Sequence, residues 1–186
     1  MKTLKHLTML LFIVVSFQTQ AASQYSFEPT QGKTLFEAKG WPSLITIKGE
    51  GVGATGTLSE VNDMLTGSLA VDLNTLTTGI DLRDEHMKDK YLQVKQYPKA
   101  TLTFTNLKIP AEKKGKVEFA GEMEIRGVKK EVKGTAEIIP TEKDIKVVAE
   151  FPLKLSEFNI EIPSYKGITV AEDVKVKFES QAIQKL

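Results

Sequence analysis

Alternation with a period of two residues runs through most of this chain and limits its fold more than any other feature. Leu65, Gly67, Leu69, Val71 and Leu73 alternate with Thr66, Ser68, Ala70 and Asp72. Leu102 and Phe104 alternate with Thr101, Thr103 and Thr105. Val117, Phe119, Gly121, Met123 and Ile125 alternate with Glu118, Glu122, Glu124 and Arg126. Val128, Val132, Ala136 and Ile138 form another such row, as do Ile145, Val147, Ala149, Phe151, Leu153 and Leu155, and Val174, Val176 and Phe178. A strand turns successive side chains to opposite faces, so each run has one apolar and one wet face, the mark of antiparallel sheets. Lys113-Lys114-Gly115, Arg126-Gly127 and residues 141–144 supply hairpin turns. With further candidates at Thr34–Lys39 and Ile45–Lys48, about eight strands result, and a sandwich or a closed barrel would hold them. The 186 residues suit a single domain.

The amino terminus reads differently. Lys2 and Lys5 precede an apolar run from Leu7 to Phe17, and Ala21-Ala22-Ser23 offers small residues for cleavage. That run is shorter than the roughly 20 residues a membrane helix needs and matches an export signal. Residues 1–22 are therefore expected to be a signal peptide, with 23–186 the exported domain in the periplasm, or secreted where there is no outer membrane. No later stretch approaches membrane length. Removing residues 1–22 leaves 23 Lys and Arg against 24 Asp and Glu, a formal charge of −1. Such a balance offers no footprint for nucleic acid. Cysteine is absent, which removes disulfides, thiolate metal sites and cysteine nucleophiles.

Residues 81–92 (DLRDEHMKDKYL) break the alternation and read as one short helix, with Asp81 as N-cap and Asp84 and Lys88 placed to pair. A lone helix among strands is expected to cap one end. Arg83, Asp84 and His86 are expected to form a polar brace there, Arg83 pairing with Asp84, or a polar mouth. A zinc site needs more ligands than the one histidine, His86, that signal removal leaves, and a serine hydrolase with His86 as base would need a Gly-x-Ser-x-Gly elbow that the sequence lacks, so no cofactor, metal or catalytic residue is assigned. Gly51-Val52-Gly53-Ala54-Thr55-Gly56 fits G-x-G-x-x-G but opens no helix, so these are strand or turn glycines. Trp41 is assigned to packing.

Taken together, Thr78-Gly79, then Arg83-Asp84-Glu85-His86-Met87, then Tyr97-Pro98 entering a strand that ends in Phe104 resemble the signature of the YceI-like family. The resemblance continues through residues 121–130 and 158–163 to the closing strand at Val174 and covers most of 25–183. It departs at Tyr91-Leu92, where two adjacent aromatics are frequent, and at Val128, where Thr is frequent. It implies an all-β fold, an antiparallel, extended, lipocalin-like barrel of eight strands with one short capping helix. It also implies a cavity for a polyisoprenoid or other long-chain amphiphilic lipid. From the period-two register, Leu69, Val71, Leu102, Phe104, Phe119, Met123, Val147, Ala149, Phe151, Val176 and Phe178 are expected to face inward and supply the lipid-contacting wall. Arg83, His86, Met87 and Tyr91 are expected at the cavity mouth. Small inward residues such as Gly121 and Gly134 would either leave a tube or relieve crowding. The expected partner is a long-chain lipid, and a homodimer is compatible. The alternatives are a β-domain with a filled core that binds proteins and an exported enzyme.

Overall fold

Ten antiparallel strands form one continuous sheet in the computed structural model, which describes residues 23–42, 45–141, 144–165 and 167–185. The expected signal segment lies outside the described residues. In chain order the strands are β1 (Ser23–Trp41), β2 (Thr46–Val52), β3 (Thr55–Val61), β4 (Met64–Asp72), β5 (Lys99–Lys108), β6 (Gly115–Ile125), β7 (Val128–Pro140), β8 (Ile145–Lys154), β9 (Ser164–Tyr165) and β10 (Ile168–Lys185). Strand β1 pairs with β10 from Gln24↔Lys185 to Trp41↔Thr169, which closes a barrel of eight strands: β1, β3 to β8, and β10. The all-β barrel inferred from the family resemblance is thus the fold of the protein. Closure pairs β1 with β10 and so removes the edges that these two strands would expose in an open sheet.

Strand β1 serves two neighbours on its other edge. Ser23–Phe27 pairs with β3, and Lys33–Lys39 pairs with β2. The alternation did not expose β3, because its inward row, Gly56, Leu58 and Glu60, contains one large apolar residue. The G-x-G-x-x-G glycines sit at the junction of β2 and β3. A Cβ at Gly53 would lie 2.8 Å from Gly32, and one at Gly56 would collide with the Ser68 carbonyl. They permit close backbone approach and open no helix. The Arg126-Gly127 hairpin has positive φ at both residues (53° and 73°), as a tight two-residue turn requires.

Two seams interrupt the wall. Strands β5 and β6 are paired only from Thr101↔Glu124 to Thr103↔Glu122, so they separate toward their own turn. Behind this seam the Phe104 and Phe119 rings meet edge to face, centroids 5.7 Å apart. Strands β7 and β8 pair only between 135–140 and 145–150. A 3-10 turn, Leu155–Phe158, packs along the unpaired part of β7 and brings in the wholly buried Phe158.

The segment between β4 and β5 is helical over its expected extent but not uniformly wound. Helix α1 covers Asp81–Glu85, and His86–Leu92 continues as a π-helical turn that ends at left-handed Gln93. Asp81 is not the N-cap. Ile80 holds that position without a side-chain cap, and Asp81 is the first helical residue. Beneath the segment Leu73, Leu76 and Val94 form a small core, with Met87 and Leu92 packed on it. Trp41 does not pack as expected: it is 69% exposed, at the last residue of β1.

Candidate ligand cavity

A cavity of about 560 Å³ runs inside the barrel. Its size falls in the range of roughly 300–1,000 Å³ usual for small-molecule sites. Its wall is built by the inward rows of the strands, so the period-two register decides its chemistry. From β4 come Leu69 and Val71, from β5 Leu102 and Phe104, and from β6 Phe119 and Met123. From β8 come Val147, Ala149 and Phe151, and from β10 Val176 and Phe178. Thus all eleven side chains expected to face inward line one cavity. The polar lining is sparse: Thr34, Thr78, Arg83, His86, Lys113, Ser164 and the two tyrosines Tyr25 and Tyr91.

Small inward residues do two different things. Ala149 borders the cavity and leaves width there. Gly134 instead makes room for neighbours: a Cβ would stand 2.7 Å from the Phe119 ring and from Phe151 Cβ. Phe119 and Phe151 meet edge to face at 5.9 Å, so this glycine relieves crowding in an aromatic stack.

At the helical end the mouth contains Arg83, His86, Met87 and Tyr91, all bordering the cavity. Arg83 does not pair with Asp84 as the sequence suggested. Both side chains turn to Thr78. Arg83 Nε donates to Thr78 Oγ1 at 2.7 Å and Nη2 donates to its carbonyl at 3.0 Å. Asp84 accepts from the Thr77 hydroxyl at 2.5 Å, from the Thr78 N–H at 2.8 Å, and from the Thr78 hydroxyl. One hydroxyl therefore relays between the cation and the anion and ties α1 to the chain before it. Partial burial pushes the Asp84 carboxyl up, but the bonds from Thr77 and Thr78 and the nearby Lys88 charge outweigh it and hold it below the ordinary aspartate value. Lys88 acts on Asp84 as a neighbouring charge; the bonding partners of that carboxylate are the threonines.

At the opposite end lies a cluster that the sequence reading missed. The Tyr25 hydroxyl donates to Glu60 Oε2 at 2.7 Å, and Lys113 Nζ lies 2.8 Å from the same oxygen. Tyr25 and Glu60 are buried, and the Lys113 ammonium stands 5.7 Å over the Tyr25 ring. Burial is the largest influence on the Tyr25 phenol and raises it. The bond to Glu60 raises the Lys113 ammonium. The available signal was an acid at an inward position of a strand, where an acid needs a partner.

Among the described residues no group of three or more His, Cys, Asp or Glu could hold a metal ion. No described helix is long and apolar enough to cross a membrane.

A closed antiparallel barrel with a helix at one end and an apolar interior cavity places this chain among the ligand-cavity barrels. The YceI-like domain model matches residues 25–182, and the chain belongs to that family. Solved structures share the fold. BcnA of Burkholderia cenocepacia superposes with a TM-score of 0.69 at 17% identity, covering 84% of this chain and 98% of that one. A polyisoprenoid binding domain from Saccharophagus degradans, implicated in plant cell wall breakdown, gives 0.65 at 14% identity, covering 87% and 98%. The Campylobacter jejuni YceI protein gives 0.58 at 21% identity, covering 75% and 86%. No curated relative matches the sequence.

Proposed function

We propose that this protein is an exported, non-catalytic carrier that holds one long-chain lipid in the barrel, for transport, storage or stress protection. The ligand is a polyisoprenoid, an isoprenoid quinone or a fatty-acid-like chain. The observation that carries this reading is the cavity of about 560 Å³ with an almost wholly apolar wall. Burying a few hundred Å² of ligand hydrocarbon at about 25 cal/mol per Å² gives several kcal/mol before the entropy costs of binding. Membership of a family with a polyisoprenoid binding domain among its structural neighbours supports the same ligand class. The eleven inward side chains serve as the tail site, and Arg83, His86, Met87 and Tyr91 serve the head group. The signal-like residues 1–22 support export to the periplasm.

The test is organic extraction of the purified protein followed by mass spectrometry, then titration with lipids of one head group and graded tails. A co-purifying lipid, and affinity that rises with tail length and changes little with salt, are expected. Binding that ignores tail length and disappears in salt would replace the apolar-cavity reading with a surface electrostatic one.

A further inference from the structure

Seven large apolar side chains are exposed among the described residues, and four of them stand at the mouth end: Trp41 at 69%, Ile80 at 52%, Leu82 at 49% and Ile45 at 41%. Ile45, Ile80 and Leu82 also line the cavity, so each belongs to the inner wall and the outer surface at once. Trp41 ends β1, Ile45 precedes β2, and the Gly40 N–H donates to the Ile45 carbonyl at 2.7 Å. Ile80 and Leu82 come from the start of α1, carried beside β2 by the Glu50↔Thr77 bridge. At the floor end, by contrast, exposed Val61 touches no part of the cavity.

We propose that this rim docks on the surface of an electrically neutral lipid bilayer, with the mouth facing the membrane. The apolar rim runs into the apolar cavity through Ile45, Ile80 and Leu82, beside the polar Arg83 and His86. A chain leaving a bilayer beneath it would pass from hydrocarbon to cavity without crossing water. The charges flanking the rim cancel locally. Glu37 holds Lys39 at 3.1 Å and Lys48 at 3.6 Å, Asp89 holds Lys95 at 3.2 Å, and Lys90 holds Glu161 at 3.5 Å; with Asp81, Asp84 and Glu85 against Arg83 and Lys88 in the same segment, six carboxylates stand beside six cations. No uncompensated sign remains there to select a charged protein face or an anionic membrane. Tryptophan suits the interfacial layer, where its ring is apolar and its N–H stays wet. Docking therefore rests on apolar insertion. It extends the lipid-carrier reading, because a bilayer is where such a ligand resides.

Trp41 is the only tryptophan of the chain, so its emission reports the rim directly. The protein, as an exporting cell leaves it, is mixed with phosphatidylcholine vesicles with and without brominated acyl chains. Trp41 emission is expected to shift to shorter wavelength, to be quenched by the brominated lipid, and to stay so in about 0.5 M salt. The double substitution Ile80→Asp with Leu82→Asp, at positions exposed enough to leave folding intact by circular dichroism, should weaken vesicle affinity at least about tenfold. Val61→Asp at the floor end carries the same amino terminus and should change nothing. Absence of quenching overturns the proposal. Docking confined to anionic vesicles and lost in salt also overturns it. A blue shift without vesicles that grows with protein concentration overturns it too and makes the rim an interface between two copies. Uptake of a polyprenol dispersed in solution separates the two readings. Uptake without docking overturns docking alone, and failure of both overturns the carrier as well.

Discussion

The two ends of the barrel are closed by opposite means. The floor is closed from within by a contact between two strands and a turn: Tyr25 of β1, Glu60 of β3 and Lys113 from the β5–β6 turn meet at 2.7 and 2.8 Å. The mouth is covered by a separate helical segment, held by the bonds that Arg83 and Asp84 make to Thr77 and Thr78. The floor contact crosses the chain at a sequence distance of 35 residues, whereas the mouth bonds span five to seven. Breaking the floor contact must loosen the barrel itself. The mouth bonds are local, and breaking them is expected to loosen residues 81–92 alone.

The most severe test interrupts the space between the two ends. Ala149→Arg places an unpaired charge against the apolar wall and should abolish lipid uptake, measured by fluorescent-lipid titration of the folded variant. Unchanged uptake would mean that the cavity does not hold the ligand at that level. Next in size is the floor. Glu60→Ala leaves the buried Tyr25 hydroxyl and the Lys113 ammonium without their shared partner, and should lower global stability by about 2–4 kcal/mol in urea denaturation. A smaller and local effect is expected at the mouth. Arg83→Ala removes two bonds to Thr78 and should raise hydrogen exchange across 81–92, by about 1–2 kcal/mol of protection, with little change in the global midpoint. If exchange rises equally in β3 and β6, the ends are not independent.

The mildest test uses pH, and the two ends should respond at opposite extremes. The folded-state value of Asp84 lies below its unfolded one. Its contribution is therefore complete above the unfolded value and is lost as pH falls through the folded one, below about pH 4. Tyr25 and Lys113 have folded values raised above their unfolded ones. Their contribution is complete below the unfolded values and is lost as pH rises through the folded ones, above about pH 10. Hydrogen exchange read by segment should show residues 81–92 loosening first in acid and the floor loosening first in alkali. The reverse order would assign the ends wrongly.

Strands such as β4, β6 and β7 were legible because their inward rows repeat large apolar residues over many turns of the pleat. Strand β3 was not, because Gly56 yields its volume to β4 and Glu60 spends its inward position on the floor contact. That contact depends on a turn residue some fifty positions later, and no local pattern announces it. At the mouth the sequence suggested a charge pair between adjacent residues. Two threonine hydroxyls a few residues upstream met both charges instead. Trp41 is the last residue of β1, and the spacing of residues within one strand does not state which face of the strand's end is covered.

The paired portions of β5–β6 and β7–β8 are short, and each seam is backed by side chains where ladder bonds would run. A ladder resists widening because every added ångström stretches a row of directional bonds. Rings and aliphatic groups sliding past one another resist far less. The girth of this vessel is thus set along part of two lines by packing, one beside Phe104 and Phe119, the other beside Phe158. An occupant of larger cross-section would be accommodated by elastic dilation along those two lines, with the remaining ladders acting as stiff staves.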